Sequence, residues 1–421
     1  MSAALRLRTA VRLGRLAGVL SRALRQGDGM VISGRVALAA CPDAFRQLTA
    51  VRPVTFVSAT NGKTTTTRLL AAALRTAGPV VTNLSGANMP PGLIAALLTA
   101  SDASTPAVFE ADETYLPTLL DQAPRRTTLV LGNLTRDQLD RVGEVAMVAR
   151  RWRKAFAAHP ELTVVANADD PHVVWAASVV PTVTWVAVGQ PWRADAAVCP
   201  GCGAVLQWAD DVWSCSCGLR RPEPTWSLDG DHLLHGDLRL PLTLALPGRA
   251  NRANAAVAAA AADLAGIPPA QAVAAFASVA SVGGRYEVRE YAGRRIRLLL
   301  GKNPAGWTEI FDVLAPPPAP VVIAINARAA DGRDPSWLWD VPFERLAGRF
   351  VVATGERRYD LAVRLLYAGV SHTTVENPGE AWPPEIGTAG LDDAPPLDVV
   401  ATYTAFRDWL RRTGGDTDVR G

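Results

Sequence analysis

The sequence predicts an α/β protein: a central domain with a mainly parallel sheet around a phosphate-binding loop, a four-cysteine ribbon inserted into it, and a second, C-terminal α/β domain. Three observations predict this. Residues Val54 to Thr67, VTFVSATNGKTTTT, run from an apolar, β-branched strand through an Asn61-Gly62 turn into the helix-like TRLLAAAL. After them short apolar runs alternate with helical stretches, a spacing that indicates parallel strands covered on both faces. Four of the five cysteines then fall together, between 199 and 217, before a fresh set of strand and helix patterns begins.

At 421 residues the chain is too long for one compact core. The patterns divide it into an N-terminal helical segment packed on the central domain (1–50), the central nucleotide domain (51–275, with the ribbon at about 196–222), and the C-terminal α/β domain (280–421). Hydrophobic residues make up 49% and charged residues 20%, ordinary for a soluble globular protein. A formal charge of +3 is too small to argue for nucleic acid, so no nucleic-acid partner is expected.

The first stretch, LRLRTAVRLGRLAGVLSRAL, sets leucines and valines at helical spacing with arginines between them. No apolar run in it is long enough to span a bilayer, and it lacks the continuous apolar core and cleavage site of a signal peptide. It reads as a helix packed on the body of the protein, with a basic amphipathic helix on an anionic membrane as the alternative. The expected location is the cytoplasm, with the inner face of the membrane as the site of any peripheral contact.

A strand that stops at a tight turn and feeds a helix offers backbone N–H groups, a helix N-terminus and one lysine to a polyphosphate, so ATP or GTP is expected here. Thr60, Asn61, Gly62, Lys63, Thr64 and Thr65 form the expected contact set, with Lys63 neutralising the β- and γ-phosphates. Val57 stands where the P-loop pattern has its first glycine. One crossover later VFEADE supplies Glu110, Asp112 and Glu113. EADE alone reads equally as a solvated strand end, but beside a phosphate loop it reads as the carboxylate site for Mg2+, with the Thr64 hydroxyl as a direct ligand. Ligands gather at the carboxyl ends of parallel strands, where Asn83, Glu110, Asp112, Glu113, Asn133, Asn167, Asp169 and Asp170 fall.

Cys199, Cys202, Cys215 and Cys217 lie in CPGCGAVLQWADDVWSCSCG. CPGCG is a rubredoxin-like knuckle, and four thiolates on two short turns suit a closed tetrahedral zinc site, although the second pair is C-x-C where C-x-x-C is usual. With no position open for water, the zinc is expected to be structural. Two disulfides are the alternative, disfavoured in a reducing compartment. Cys41, before Pro42, reads as a small buried hydrophobe.

Beyond the ribbon, NRANAAVAAAAADLAGI reads as a helix ending near 267. GRYEVREY and RRIRLLLGKNP then open a new set, followed by the helix GWTEIFDVLAP, a connection from Ala315 to Pro320, the strand VVIAIN and the helix TAFRDWLRRT.

TNGKTT, EADE, NLTRDQLDR, NADDP and GRANRAN occur in the order of the corresponding segments of the Mur ligase family, which the chain resembles. That resemblance implies ATP, Mg2+ held by Thr64 and Glu110, and adenine contacted by Asn251 and, beside it, Asn254. Ala59 stands where the family usually has glycine, and Ala250 where it has an aromatic residue or histidine. The cysteine insertion continuing into CGLRRPEP, the segment LLLGKNPAGWTEI and the loop NARAADGRDPSWLWDVPFE are similar to the MurT branch, the ligase-like subunits of lipid II isoglutaminyl synthase; Ala327 and Arg328 replace that branch's Asp-Asn. This closer resemblance implies ATP-dependent amidation of the α-carboxylate of D-glutamate in the lipid II stem peptide. The carboxylate becomes an acyl-phosphate, and ammonia from a separate GatD-type glutaminase displaces the phosphate.

On that reading Lys63, Glu110 and Asp340 carry the chemistry. Asp340, or in its place Asp334, would face the glutaminase and orient its catalytic histidine, while Lys302 and Arg285 reach across the cleft toward phosphate or carboxylate. No cysteine of this chain sits in a nucleophile-elbow setting that would make it its own glutaminase. The competing readings are an amino-acid-adding or folylpolyglutamate-type ligase, and a nonenzymatic scaffold with a vestigial nucleotide site.

Overall fold

A computed structural model describes residues 2–24, 29–83, 87–137, 144–279, 286–376 and 396–414. Arg285 and the later part of NLTRDQLDR lie outside them. The strand read from VTFVS forms as β1 (Val54–Ser58) and runs through the interior of a nine-stranded sheet. The other strands are β2 (Val81–Thr82), β3 (Ala107–Glu110), β4 (Thr127–Leu131), β5 (Thr163–Asn167), β6 (Thr182–Ala187), β9 (Trp226–Asp229), β10 (His232–His235) and β11 (Leu238–Pro241), in the order β11-β10-β9-β6-β5-β4-β1-β3-β2. From β9 to β2 every pairing is parallel; β10 and β11 close the other edge antiparallel.

Successive residues of a strand point to opposite faces, so a strand buried on both sides must be apolar throughout. Phe56, Phe109, Leu129 and Val164 face a layer made by α2 (Met30–Ala40), α3 (Ala44–Thr49), α5 (Pro90–Thr99), α6 (Leu116–Leu120), α7 (Val145–Ala157) and α8 (Pro171–Ala177). Their neighbours Val57, Val108, Val130 and Val165 face α4 (Lys63–Arg75), α9 (Arg249–Leu264) and α10 (Pro269–Phe276). The alanines from Ala255 to Ala262 on α9 are all buried, which lets that helix lie close to both the sheet and α4. The N-terminal helix α1 (Ala3–Ala23) packs on α2, which reaches the sheet through α5.

A second, six-stranded sheet has the order β12-β13-β17-β14-β15-β16. Its strands are β12 (Tyr286–Tyr291), β13 (Arg294–Leu300), β14 (Val321–Ala324), β15 (Val351–Thr354), β16 (His372–Thr374) and β17 (Leu397–Ala401), all parallel except β12 on β13. One face buries Trp307 and Phe311 of α11 (Pro304–Phe311) with Leu361 and Leu365 of α12 (Arg358–Tyr367); the other buries Phe406 and Trp409 of α13 (Tyr403–Arg412).

The ribbon is a two-stranded hairpin, β7 (Gln207–Ala209) and β8 (Val212–Ser214), whose fully buried Trp213 packs with Leu206 against Val174 of α8. The antiparallel β9–β11 meander behind it was not part of the sequence-based expectation. Its turn signals are present in the sequence: Asp229-Gly230 and His235-Gly236 supply glycines with φ of +60° and +54° between alternating apolar and polar residues. Among the described residues no helix is long and apolar enough to cross a membrane.

The seat of α2 on α5 is tight. A Cβ on Gly34 would stand 1.8 Å from the carbonyl oxygen of Pro91 at the start of α5. Gly34→Ala should therefore lower stability by about 1–3 kcal/mol, the usual cost of overpacking, read as a drop in thermal midpoint; an unchanged midpoint would mean that α2 does not seat there.

Candidate active site

The loop between β1 and α4 is fixed by its neighbours before any ligand is considered. The Thr60 N–H donates to the carbonyl of Asn133 at 2.8 Å, and the Thr60 hydroxyl accepts from the Thr135 N–H at 3.0 Å. The Asn61 N–H donates to Asn133 Oδ1 at 3.0 Å, and Asn133 Nδ2 returns a bond to the Asn61 carbonyl at 2.9 Å. Gly62 sits at φ +87°, the left-handed region, and a Cβ there would lie 2.2 Å from Asn254 Oδ1 on α9. Ala59 is accommodated by a second glycine, since a Cβ on Gly132 would come within 2.9 Å of the Ala59 methyl.

Below this loop Lys63 is buried, its Nζ donating to the carbonyls of Ala59 (2.5 Å) and Thr60 (3.3 Å) and to Glu113 Oε2 (2.9 Å). Burial pulls the lysine pKa down, but the charges of Glu113 and Glu110 pull it up by more, so it stands above the ordinary value and the ammonium stays charged. Thr64 donates its hydroxyl to Glu110 Oε2 at 2.7 Å, and Asn88 Nδ2 donates to Glu110 Oε1 at 3.3 Å. The Glu113 backbone carbonyl is held by Trp152 Nε1 at 2.9 Å, from the far helix α7. Asp112, the third carboxylate of EADE, turns back on its own loop and accepts from the N–H and hydroxyl of Thr114. Thr65 is buried on α4.

Neighbouring oxygens of an octahedral magnesium ion lie about 2.9 Å apart, given its Mg–O bonds of about 2.0–2.1 Å. The Thr64 hydroxyl and Glu110 oxygens, 2.7 Å apart, stand close to that spacing and are hard oxygen donors, so these residues fit the ion.

A cavity of about 100 Å³ opens beside the loop, lined by Asn61, Gly62, Asn133, Asn167, Asn254 and Gly306. Asn251 does not line it, because its amide donates to the Pro247 carbonyl at 2.7 Å; Asn254, one helical turn on, points there instead. A larger cavity of about 870 Å³ shares Val188, Gly189 and Arg249 with the first but runs past Arg221, Arg252 and Asp312, away from Lys63 and Glu110.

Two contacts tie the second sheet to this site. Asn303, at the start of α11, exchanges paired amide hydrogen bonds with Asn61 at 3.1 and 3.2 Å, while its Oδ1 also accepts from the Gly306 N–H as the helix cap. Arg136, next to Thr135, donates to Asp340 at 3.2 Å and is itself held by Asp195, which Trp192 Nε1 also contacts at 2.6 Å. Asp340 is exposed. Asp334 is occupied by the N–H and hydroxyl of Ser336, both at 2.9 Å. Trp337 packs inward against Trp307, whereas Trp339 is 54% exposed and meets Tyr367, itself 74% exposed. Lys302 lies over the Tyr403 ring. Thr135, Arg136 and Asn303 lie in segments the sequence marked, NLTRDQLDR and LLLGKNP, but their individual roles did not show because their partners are remote in the chain; Asp195 lies in no marked segment.

The four cysteine sulfurs lie within 4.8 Å of one another, with Cys199 to Cys217 at 3.7 Å and Cys202 to Cys215 at 3.5 Å. A tetrahedron with Zn–S bonds of about 2.3 Å has edges of about 3.8 Å, whereas a disulfide needs about 2.05 Å. Backbone N–H groups of Gly201 and Cys202 point at Cys199, that of Ala204 at Cys202, and that of Cys217 at Cys215. The C-x-C turn thus directs an N–H at a sulfur as the C-x-x-C turn does. Donor set, spacing and N–H orientation all fit zinc. Cys41 is buried with its thiol toward Asp43.

Residues 57–193 match the Mur ligase middle domain, and residues 300–406 match the MurT ligase C-terminal domain. A protein of Streptococcus pneumoniae (strain ATCC BAA-255 / R6) described as lipid II isoglutaminyl synthase (glutamine-hydrolyzing) subunit MurT is 29% identical, covering 94% of this chain and 96% of its own. One of the same description from Staphylococcus aureus (strain N315) is 29% identical over 86% of this chain and 88% of its own. Among solved structures, a pseudomurein peptide ligase type C from Methanothermus fervidus matches with a TM-score of 0.63 at 18% identity, over 90% of this chain and 79% of that one. MurF from Acinetobacter baumannii matches with 0.63 at 16%, over 92% and 81%. At such identity these structures speak to the fold, a Mur ligase-like α/β fold.

Gly62→Ala should cost about 1–2 kcal/mol from the left-handed backbone, plus the collision with Asn254. Thermal unfolding of the double variant with Asn254→Ala should recover the collision part and leave the backbone part; strictly additive losses would contradict the contact.

Proposed function

The chain belongs to the MurT branch of the Mur ligase family, and on that premise we propose that it is the ATP-dependent amidating subunit of a lipid II isoglutaminyl synthase, a carbon–nitrogen ligase. The observation that carries the reading is the arrangement under the phosphate loop: one charged lysine, a threonine–glutamate pair, and a second glutamate that holds the lysine until phosphate competes for it. Residues 51–275 would form the nucleotide domain and 280–421 the domain that closes over it.

The roles follow from the chemistry of the groups. ATP phosphates would lie against the N–H groups of the loop and the start of α4, with Lys63 on the β- and γ-phosphates and adenine beside Asn254, as the cavity lining supports. Thr64 and Glu110 would hold Mg2+, which supplies positive charge to the phosphates. A free carboxylate does not condense with ammonia in water, because oxide is too poor a leaving group. Attack of the substrate's α-carboxylate oxygen on the γ-phosphorus, with ADP leaving, makes an acyl-phosphate. Ammonia nitrogen then bonds to the acyl carbon, phosphate departs with the electrons of the broken C–O bond, and one proton is lost. The buried Lys63 stabilises charge without reorganising.

The ammonia would come from a glutaminase subunit of the GatD type. Asp340 supports a role toward that partner better than Asp334: it is exposed, and it stands beside Trp339 and Tyr367, large aromatics of the kind that anchor protein interfaces. Arg136 would aim its carboxylate. The cysteine ribbon would hold structural Zn2+, and Arg285 remains a proposed phosphate or carboxylate contact.

Lys63→Ala should reduce amidation by the reconstituted complex on the order of 10²–10³-fold, the usual loss for one charge-stabilising donor; unchanged turnover would leave only a scaffold role. Asp340→Asn should abolish glutamine-driven amidation while high ammonium chloride restores it. Equal loss with both nitrogen sources would place Asp340 in the ligase step instead. Replacing Cys199 and Cys202 together by serine should lower folding yield and bound zinc, measured by metal analysis, and normal stability without metal would remove the zinc.

A further inference from the structure

Helix α1 is built inside out for a helix that faces water. Its inward face is small: Ala10, Gly14 and Gly18 are buried, and a Cβ on Gly14 would come within 2.7 Å of the Ser33 carbonyl oxygen on α2. That close seat fixes the rotation of α1 and turns its large residues outward. Leu5, Leu13, Leu16, Val19, Leu20 and Leu24 are between 45% and 67% exposed, and Val31 and Ile32 of α2 adjoin them at 40% each. No described residue covers this stripe. A contiguous apolar face of that kind on a surface helix marks a site of interaction.

Charge identifies the occupant. Between Ser2 and Gln26 the sequence has six arginines and neither aspartate nor glutamate. Arg6, Arg8 and Arg12 flank the leucines and are exposed, with the Asp43 carboxylate within electrostatic reach of Arg6. Leucines projecting outward between arginines, whose long apolar stems let the guanidinium reach a headgroup, match a helix lying in the plane of a negatively charged bilayer. We infer that the outward face of α1 is a docking surface for an anionic lipid membrane. This deepens the proposed function, on which it rests for its purpose: a lipid-linked substrate is met at such a surface. The mounting is short. Gly34 of α2 abuts Pro91 at the start of α5, and Asn88, just before α5, donates to Glu110. The membrane-facing helix pair therefore sits on the segment that borders the carboxylate site.

The test is sedimentation of the full chain, alone and with its glutaminase subunit, with vesicles of equimolar phosphatidylglycerol and phosphatidylcholine, against pure phosphatidylcholine. Binding is expected to the anionic vesicles only, and to weaken as salt is raised. The triple variant Arg6→Gln, Arg8→Gln, Arg12→Gln should weaken it on the order of 100-fold. The pair Leu16→Gln, Leu20→Gln should weaken it about 10-fold or more. Both variants touch exposed positions and should keep the wild-type thermal midpoint and amidation of a water-soluble stem-peptide substrate. Equal binding to neutral vesicles, no binding, or unaltered binding by both variants would overturn the inference. So would loss, in the leucine pair, of a concentration-dependent dimer or of glutaminase binding with no vesicle binding by the wild type, which would assign the stripe to a protein. Vesicle binding is read without turnover, so its failure leaves the amidation reading standing, and failed amidation with intact vesicle binding leaves the docking surface standing.

Discussion

A charged ammonium buried under a loop has to be compensated, and that requirement organises this molecule around Lys63. An isolated charge in the interior is costly, and a buried pair that loses one partner is destabilised by about 3–5 kcal/mol. Glu113 meets the need at 2.9 Å, but only because β3 lies beside β1 and its carboxyl end is held by Trp152 from α7. Parallel order, strand register and the aromatic core under α7 are thus all conditions for one ion pair. The same register sets Glu110 opposite Val57, from where its carboxylate reaches Thr64. A site that stores a lysine against a glutamate is poised for an anion, since phosphate oxygens can replace the carboxylate without the ammonium ever entering water.

The second sheet meets this arrangement at polar contacts. The amide exchange between Asn61 and Asn303 and the bond from Arg136 to Asp340 both start from the loop or from the strand end that braces it. Exposed ion pairs contribute little on their own, about 0–1 kcal/mol. Arg136 differs in being fixed from behind by Asp195, so its direction is set before Asp340 meets it. Thr60, Thr135, Arg136 and Asp340 form a continuous physical path from the phosphate loop to an exposed carboxylate flanked by aromatics.

Much of this was legible in the sequence. TNGKTT, EADE and the cysteine ribbon are local: a strand-turn-helix junction, a strand end and two cysteine turns each need their residues at short spacing. The parallel fold showed because two-sided burial makes whole strands apolar. What escaped was long-range or took the form of a choice among equals. Asn61 and Asn303 are 242 residues apart, and nothing near either one reveals the other. EADE offered three carboxylates, which their contacts separate: Glu110 takes the Thr64 hydroxyl, Glu113 the Lys63 ammonium, and Asp112 the turn at Thr114. GRANRAN offered two asparagines, and helix rotation aims Asn254 at the cavity while Asn251 caps back onto Pro247. The methyl of Ala59, where the family usually has glycine, has its space at Gly132, seventy-odd residues on.

If the site activates a carboxylate by phosphorylation, as proposed, one oxygen atom passes from that carboxylate to phosphate. With the stem-peptide α-carboxylate labelled in heavy oxygen, and ATP, magnesium and ammonium supplied to the reconstituted complex, the phosphate released should be analysed by mass. One labelled oxygen in each phosphate per amide formed is expected of that activation. Unlabelled phosphate alongside amide product would contradict it.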